Sequence, residues 1–215
     1  MLFINFKTYE EATGKNAVRL AKIAEKVARE TGKEIVLVPQ AIDIEKIAKA
    51  VKLKVFTQHV DEIGFGSHTG HIMINAAKQS GAVGTIINHS ENRIPIIKIE
   101  AIIKKCKEEN FTVLVCAQDA DEVEEIALLA PDYVAYEPPE LIGGNISVST
   151  ARPEVIEESV KKAGNIPLIV GAGVKNMKDV QISLELGAVG ILVASGIIKS
   201  KEQEKAVKEL AEGFN

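Results

Sequence analysis

Three ionisable residues, Lys7, His89 and Glu137, each stand at the end of a short apolar run rich in β-branched residues. A glutamate can take a proton from carbon, a histidine can polarise a carbonyl group, and a lysine can balance the negative charge that develops. Together these groups would transfer a proton next to a carbonyl, with no metal or cofactor. Taken singly, each residue has a simpler interpretation: a solvated lysine, a hydrogen-bonded core histidine, or a glutamate before an ordinary turn.

Two segments of small residues, 171–173 (Gly-Ala-Gly) and 194–196 (Ala-Ser-Gly), follow the last two apolar runs of the chain. Small side chains let backbone N–H groups approach an anion closely. Glycine-rich turns are common, so one such segment would indicate little. Two in succession favour a phosphate site.

The residues after Glu137 combine two prolines, Pro138 and Pro139, with a Gly-Gly-Asn sequence at residues 143–145. Proline stiffens the chain because it fixes φ, whereas glycine and asparagine reach left-handed conformations at low cost. A stiff root and a pliable tip are typical of a lid that closes over a substrate. The pattern predicts such a lid over residues 138–150.

Eight apolar runs alternate with amphipathic helical patterns along the chain. None of the runs alternates between apolar and polar residues, so both faces are apolar, as in a parallel sheet covered by helices. The mean repeat of about 27 residues is enough for a βαβ crossover, and no linker or change in composition divides the chain. The predicted strands are residues 2–6, 35–38, 54–57, 85–88, 112–116, 133–136, 168–170 and 190–193.

This pattern predicts one α/β domain over residues 1–215, folded as a closed (β/α)8 barrel. In that fold the active site lies at the carboxyl ends of the strands, and the loops after strands seven and eight form the usual phosphate site. The alternative is an open doubly wound sheet. It usually has fewer strands and a glycine-rich turn after the first strand, where this chain has Lys7-Thr8-Tyr9-Glu10.

Several residues predict where helices begin or end. Gly32 fits the end of the first helix, and Pro153 fits the first turn of the sixth. Asn176 with Asp179 predicts a cap for the seventh helix, and Ser200 with Gln203 predicts a capping box for the last.

Composition restricts the class of protein. The chain is 46% hydrophobic and 4% aromatic, which predicts an aliphatic core. A formal net charge of −4 argues against a nucleic-acid-binding protein. Two cysteines favour a reducing compartment, and we find neither a signal peptide nor a run long enough to span a membrane. We therefore expect a cytoplasmic protein that binds neither nucleic acid nor membrane.

The predicted loop after the third strand, residues 58–71, is long and carries three histidines. His59, His68 and His71 with Asp61 could form a metal site, but nothing else in the sequence fixes such a geometry. A long loop on a compact barrel is often an interaction element. We prefer a contact between subunits and predict no metal.

Three motifs together resemble the triosephosphate isomerase family, and the similarity covers the whole chain. They are Asn5-Phe6-Lys7, the segment Asn88-His89-Ser90-Glu91, and Ala135-Tyr136-Glu137-Pro138 followed by Ile142-Gly143. The third motif is highly specific. The shortness of the chain resembles the archaeal type, which is typically tetrameric, and the family fold is the TIM barrel.

The resemblance implies a role for each residue of the ionisable set. Glu137 is the base that moves a proton between two carbons, and His89 is the neutral electrophile over the carbonyl and enediolate oxygens. Lys7, with Asn5, stabilises the charge of substrate and enediolate, and Glu91 pairs with Lys7.

The resemblance also implies the phosphate contacts and the partners. Backbone near Ile142 and Gly143 closes over the phosphate, and Gly173, Ala194 and Ser195 complete the contacts. The third loop inserts into a neighbouring subunit near the lysine. The implied reaction interconverts dihydroxyacetone phosphate and glyceraldehyde 3-phosphate, in glycolysis and gluconeogenesis.

The chain departs from the family pattern at Asn88, where glycine is frequent, and at residues 144–145, where Thr-Gly is common. Two other functions stay open. One is another phosphosugar isomerase, epimerase or synthase on a phosphate-binding barrel, although epimerases of that kind usually need metal ligands at the rim. The other is a barrel that binds phosphoesters without catalysis.

Overall fold

A closed barrel of eight parallel strands forms the centre of the molecule. The structure is a computed structural model that describes residues 1–138, 153–171 and 173–214. Each strand pairs with the next, and pairing of Leu2 with Ile191 joins the last strand to the first. The predicted barrel is confirmed, and the open doubly wound sheet is wrong. The strands are β1 (Leu2–Asn5), β2 (Ile35–Val38), β3 (Lys54–Thr57), β4 (Gly84–Ile87), β5 (Thr112–Ala117), β6 (Tyr133–Tyr136), β7 (Leu168–Val170) and β8 (Gly190–Val193).

Helices cover the outside of the barrel. Where the chain is described they are α1 (Lys15–Thr31), α2 (Ile44–Ala50), α3 (Ile74–Gln79), α4 (Ile96–Glu108), α5 (Ala120–Leu128), α6 (Pro153–Ala163), α7 (Met177–Glu185), α8 (Ser195–Ile198) and α9 (Gln203–Glu212), with short 3-10 helices at Glu10–Ala12 and Ala41–Asp43. The short helix α8 was not predicted.

Most of the predicted helix ends are confirmed. Gly32 ends α1 with a left-handed φ of 69°, Pro153 begins α6, and Asn176 Oδ1 accepts the N–H of Asp179 at 3.0 Å. The capping box at Ser200 is wrong, since α9 begins later, at Gln203. The side-chain amide of Gln203 instead donates to the carbonyl of Ile198 at 2.8 Å, which ties α9 to α8.

Two strands end one residue earlier than predicted. Beyond β1, Lys7 has a φ of 45°, and directly after β4, Asn88 has a φ of 58°. A positive φ is incompatible with an extended strand, so the chain turns out of the barrel at both places. Both turns carry residues of the predicted site.

The core has two layers, one inside the barrel and one between the strands and the helices. Inside, the ring of Phe3 contacts the rings of Phe56 and Tyr133, with centroids 5.6 and 6.0 Å apart. Most of the remaining core is aliphatic, as predicted. Because both layers are apolar, the strands have few places for polar groups except at their ends.

No helix in the described part of the chain is long and apolar enough to cross a membrane.

Candidate active site

A cavity of about 400 Å³ opens at the carboxyl ends of the strands. It contains every predicted site residue of the described ranges except Glu91, which lies beside it and contacts both Lys7 and His89. Ile142 and Gly143 of the predicted lid lie outside the described residues. The lining is Asn5, Lys7, Tyr9, His89, Glu137, Gly171, Gly173, Val174, Lys175, Leu192, Val193, Ala194, Ser195 and Gly196.

Glu137 presents its carboxylate to this cavity from the end of β6. Its backbone N–H donates to the carbonyl of Ala117 at 2.8 Å, which continues the sheet pairing to the edge of the site. The residue is 4% exposed. Burial raises the pKa of the carboxyl group, because the charged form is poorly solvated, and His89, the thiol of Cys116 and Lys7 partly oppose that rise. A buried carboxylate with a raised pKa is a suitable base near neutral pH.

Gly171 and Cys116 hold the Glu137 side chain, a role that the sequence predicts for neither. A Cβ on Gly171 would lie 2.4 Å from Cγ of Glu137 and 2.9 Å from its Oε1, so the carboxylate occupies space that any other residue would fill. On another side the thiol of Cys116 hydrogen bonds to the carboxylate. Burial raises the pKa of this thiol well above its ordinary value, so it remains protonated and donates.

One oxygen of the Glu137 carboxylate remains available to react with a substrate. Within the described residues, Oε2 of Glu137 is buried and has no hydrogen-bond partner. Oε1 lies 3.6 Å from Nε2 of His89. A buried acceptor with an unused lone pair is costly unless a ligand satisfies it, so Oε2 is the atom best placed to take a proton from a substrate.

His89 follows β4 and is 6% exposed. Its Nδ1 lies 3.1 Å from the backbone nitrogen of Glu91, whose N–H donates to it. Since Nδ1 accepts a hydrogen bond, it carries a lone pair, and the single proton of the neutral ring is on Nε2. The turn therefore presents a neutral Nε2–H donor next to Glu137.

Asn88 supports the turn that carries His89. Its side-chain amide donates to the carbonyl of Cys116 at 2.9 Å and to Glu122 Oε1 at 3.2 Å, and its Oδ1 accepts the N–H of Ile94 at 3.1 Å. With a φ of 58° the position requires a residue that tolerates the left-handed region. Asparagine meets that requirement in place of the frequent glycine, and it also links β4 to β5.

Lys7 reaches the cavity from the end of β1. As predicted, it forms an ion pair with Glu91, with Nζ 2.8 Å from Oε1. Its backbone N–H donates to Asn5 Oδ1 at 3.0 Å. Gln58 fixes the same turn, because its amide donates to the carbonyl of Lys7 at 3.0 Å and reaches Asn5 Oδ1 at 3.3 Å. Asn5 and Lys7 both line the cavity, whereas Phe6 packs into the outer core.

The opposite wall of the cavity is made of small residues. Gly173 has a φ of 67°, which a side chain would strain. Ser195 and Gly196 form the first turn of α8, where backbone N–H groups have no acceptor within the helix. A Cβ on Gly196 would lie 3.6 Å from the carbonyl oxygen of Val174, so the two loops lie against each other. This wall offers donors that suit an anion.

Two of the three histidines in the third loop contact a carboxylate, that of Asp61. Oδ1 of Asp61 lies 3.3 Å from Nε2 of His59 and 3.1 Å from Nδ1 of His71, and Oδ2 accepts the N–H of Ile72 at 2.7 Å. Over the described ranges, no group of three or more His, Cys, Asp or Glu side chains is placed to hold a metal ion. The loop closes on itself through these contacts.

Comparison with known proteins decides the family. A family profile described as triosephosphate isomerase matches residues 1–210. This chain belongs to the triosephosphate isomerase family. The prediction from the three motifs is confirmed.

Archaeal triosephosphate isomerases are similar to this chain over nearly their full length, which confirms the resemblance to the archaeal type. The protein from Methanocaldococcus jannaschii is 45% identical over 214 residues, covering 98% of each chain. That from Methanothermus fervidus is 42% identical and covers 98% of this chain and 96% of the relative. A solved triosephosphate isomerase from Bartonella henselae shares the fold, with a TM-score of 0.79 at 15% identity over 99% of this chain and 98% of that one.

Proposed function

We propose that this protein interconverts dihydroxyacetone phosphate and glyceraldehyde 3-phosphate by proton transfer through an enediolate. Membership of the triosephosphate isomerase family supports the proposal. The observation that carries it is the pairing, at 3.6 Å in one cavity, of a buried carboxylate with a neutral imidazole donor.

The proposed first step uses Glu137 and His89 together. The carboxylate removes a proton from the carbon next to the carbonyl, and the electron pair of the broken C–H bond forms the carbon–carbon double bond of the enediolate. The carbonyl oxygen then carries the negative charge, which the Nε2–H of His89 and the ammonium of Lys7 stabilise. His89 then gives its Nε2 proton to the charged oxygen and takes the hydroxyl proton of the other oxygen, which moves the negative charge across the enediolate. Glu137 returns its proton to the neighbouring carbon, the second oxygen becomes the new carbonyl, and the carboxylate is ionised again.

Lys7 is the cation of this step, and its ion pair with Glu91 sets its position. The pair lies at the rim, with the lysine side chain 12% exposed and the glutamate side chain 58% exposed. An ion pair on a partly exposed rim holds the lysine without neutralising it fully. Asn5 and Gln58 fix the backbone from which Lys7 extends.

The phosphate group of the substrate is proposed to lie against Gly173, Ala194 and Ser195. A phosphate bound there leaves the three carbons of a triose within reach of Glu137 and His89, since both walls belong to one cavity. Ile142 and Gly143 would complete its contacts from the lid. This arrangement places the dianionic group where main-chain N–H donors are available.

The remaining proposals follow the family resemblance. They are a lid over residues 138–150, a homotetramer in which the third loop contacts a neighbouring subunit near Lys7, and action in the cytoplasm in glycolysis and gluconeogenesis. Proton transfer between side chains and substrate requires neither metal nor cofactor.

A coupled spectrophotometric assay tests the proposed reaction. Purified protein, dialysed against a chelator, should convert glyceraldehyde 3-phosphate to dihydroxyacetone phosphate at an undiminished rate. Activity lost on chelation would favour a metal-dependent epimerase. Binding of the triose phosphate in a calorimeter without turnover would favour the non-catalytic barrel and sink the proposal.

A further inference from the structure

Among the described residues, the ionisable set at the proton-transfer end does not by itself balance the charge of a phosphate ester. A phosphate monoester carries roughly −1.5 to −2 at pH 7. The ammonium of Lys7 lies 2.8 Å from Glu91, and ionised Glu137 adds a second negative charge to the lining. His89 is neutral when its Nδ1 accepts a hydrogen bond. The small residues of the phosphate wall contribute only partial charges.

Lys175 also lines the cavity, two residues after Gly173. No contact to substrate was predicted for it. The residue before it, Val174, places its carbonyl oxygen 3.6 Å from the Cβ position of Gly196, so the backbone of this segment lies directly against the phosphate wall. Lys175 is exposed.

The backbone of Lys175 is held firmly although its side chain is exposed. Its N–H donates to Oδ2 of Asp179 at 2.9 Å, and Asn176 caps the same turn by accepting the N–H of Asp179. Asp179 is 5% exposed, which keeps the turn from shifting toward solvent. Because the backbone is fixed, the long cationic side chain of Lys175 can reach an anion at the phosphate wall without movement of the loop.

We propose that Lys175 is a substrate-binding residue that draws the phosphate group into the cavity and pairs with it there. The inference rests on the proposed function, because it assigns the phosphate end of the same substrate. A lysine ammonium presents a compact charge and three donors, which suit phosphate oxygens. Since the phosphate does not change charge in the reaction, Lys175 contributes equally to the ground state and the transition state, and so acts on KM rather than on kcat.

A set of three variants tests the proposal by steady-state kinetics. Lys175→Gln removes the charge, Lys175→Arg keeps it, and Lys178→Gln removes another exposed lysine, which lies three residues away and does not line the cavity. We expect Lys175→Gln to raise KM for glyceraldehyde 3-phosphate about three- to fivefold, the effect of one exposed ion pair, with kcat unchanged. The arginine variant and Lys178→Gln should behave as the wild type.

Ionic strength adds a second readout. Salt screens charges that are exposed, so the KM difference between Lys175→Gln and the wild type should shrink as sodium chloride is raised from 20 to about 500 mM. Equal KM values for Lys175→Gln and Lys178→Gln at low salt would overturn the proposal. So would a lower kcat with an unchanged KM.

Inorganic phosphate, titrated by calorimetry into the wild type and each variant, separates this inference from the proposed function. Weaker phosphate binding by Lys175→Gln than by Lys178→Gln supports the inference even if the protein turns over no triose phosphate, a result that would sink only the proposed function. Equal phosphate affinity of the two variants overturns the inference even if the enzyme is an active isomerase.

Discussion

The two ends of the cavity present different kinds of group: ionisable side chains at one end and the backbone of small residues at the other. At the proposed proton-transfer end, the two side chains that we propose to exchange the proton follow buried strands, and each is held by specific neighbours: Glu137 by Cys116 and Gly171, and His89 by the turn that Asn88 supports. At the phosphate end, small residues line the cavity, where backbone N–H groups can approach an anion. Substitutions at the first end should therefore act on kcat, and those at the second on KM.

Glu137→Asp should give the largest effect. The shorter side chain withdraws the carboxylate from the substrate carbon, and loss of a positioned base costs about 10² to 10⁴ in rate. We expect kcat to fall by that order with KM nearly unchanged. Glu125→Gln, an exposed glutamate on α5, serves as the control. Equal kcat values for Glu137→Asp and the wild type would refute the assignment of the base.

Gly171→Ala tests whether the hollow beside Glu137 positions the base. The added methyl group would lie 2.4 Å from Cγ of Glu137, so the carboxylate must move. A displacement of about 1 Å in a catalytic group can cost on the order of 100-fold, and we expect kcat to fall about 10- to 100-fold.

The matching control for Gly171→Ala is a double-mutant cycle with Glu137→Ala. Removal of the glutamate side chain removes the clash, so Gly171→Ala should destabilise the wild type by about 1–3 kcal/mol and the Glu137→Ala protein by much less. Equal losses of unfolding free energy in both backgrounds would mean that Gly171 is required by the backbone conformation and not by the position of the Glu137 side chain.

At the phosphate end, Gly173→Ala should raise KM and leave kcat within about twofold, because its φ of 67° forces the backbone of the phosphate wall to shift. Loss of one hydrogen bond to a charged group costs about 1.5–3 kcal/mol, so we expect KM to rise tenfold or more. Gly164→Ala is the matched control, since Gly164 has a φ of 61°, no atom within 4 Å of its Cβ position, and no contact with the cavity. If both variants show the same small loss of stability and neither raises KM, the assignment of Gly173 is wrong.

The smallest predicted effect concerns the pH dependence set by Cys116. Burial raises the pKa of Glu137 above its ordinary value of 4.5, and the base acts when ionised, so kcat/KM should rise with pH through that raised pKa. The thiol hydrogen bond lowers this pKa, so Cys116→Ala should move the acid limb of the pH profile to higher pH.

Cys116→Ser restores a hydrogen-bond donor. It should return the acid limb of the kcat/KM profile toward its wild-type pH. The comparison between variants is independent of the ionisation of the substrate phosphate, which is common to all of them. An acid limb in Cys116→Ala at the same pH as in the wild type would show that the thiol does not act on the base.

The strands and the ionisable set could be predicted from sequence because each depends on local pattern. Apolar runs in which both faces are buried define β-strands in a parallel barrel, and Lys7, His89 and Glu137 stand where those runs end. Eight such repeats leave few topologies other than a closed barrel. The third motif around Glu137 was specific enough to identify the family.

The residues that hold the site side chains in place could not be predicted, because their role depends on contacts between segments that are distant in sequence. Cys116 on β5 contacts the end of β6, and Gly171 after β7 receives the side chain of Glu137. Gln58 reaches back across the barrel end to the turn at Lys7. The sequence places Gly171 in a phosphate motif, yet a Cβ at this position would meet the side chain of Glu137.

A crystal structure with 2-phosphoglycolate bound would test the central claim most directly, since this ligand carries a phosphate at one end and a carboxylate in place of the enediolate at the other. We expect the ligand carboxylate to contact both Glu137 and Nε2 of His89, and the phosphate to lie against the main chain at Gly173 and Ser195. A phosphate bound away from that wall, or a carboxylate that contacts neither side chain, would contradict the division of the cavity into a proton-transfer end and a phosphate end.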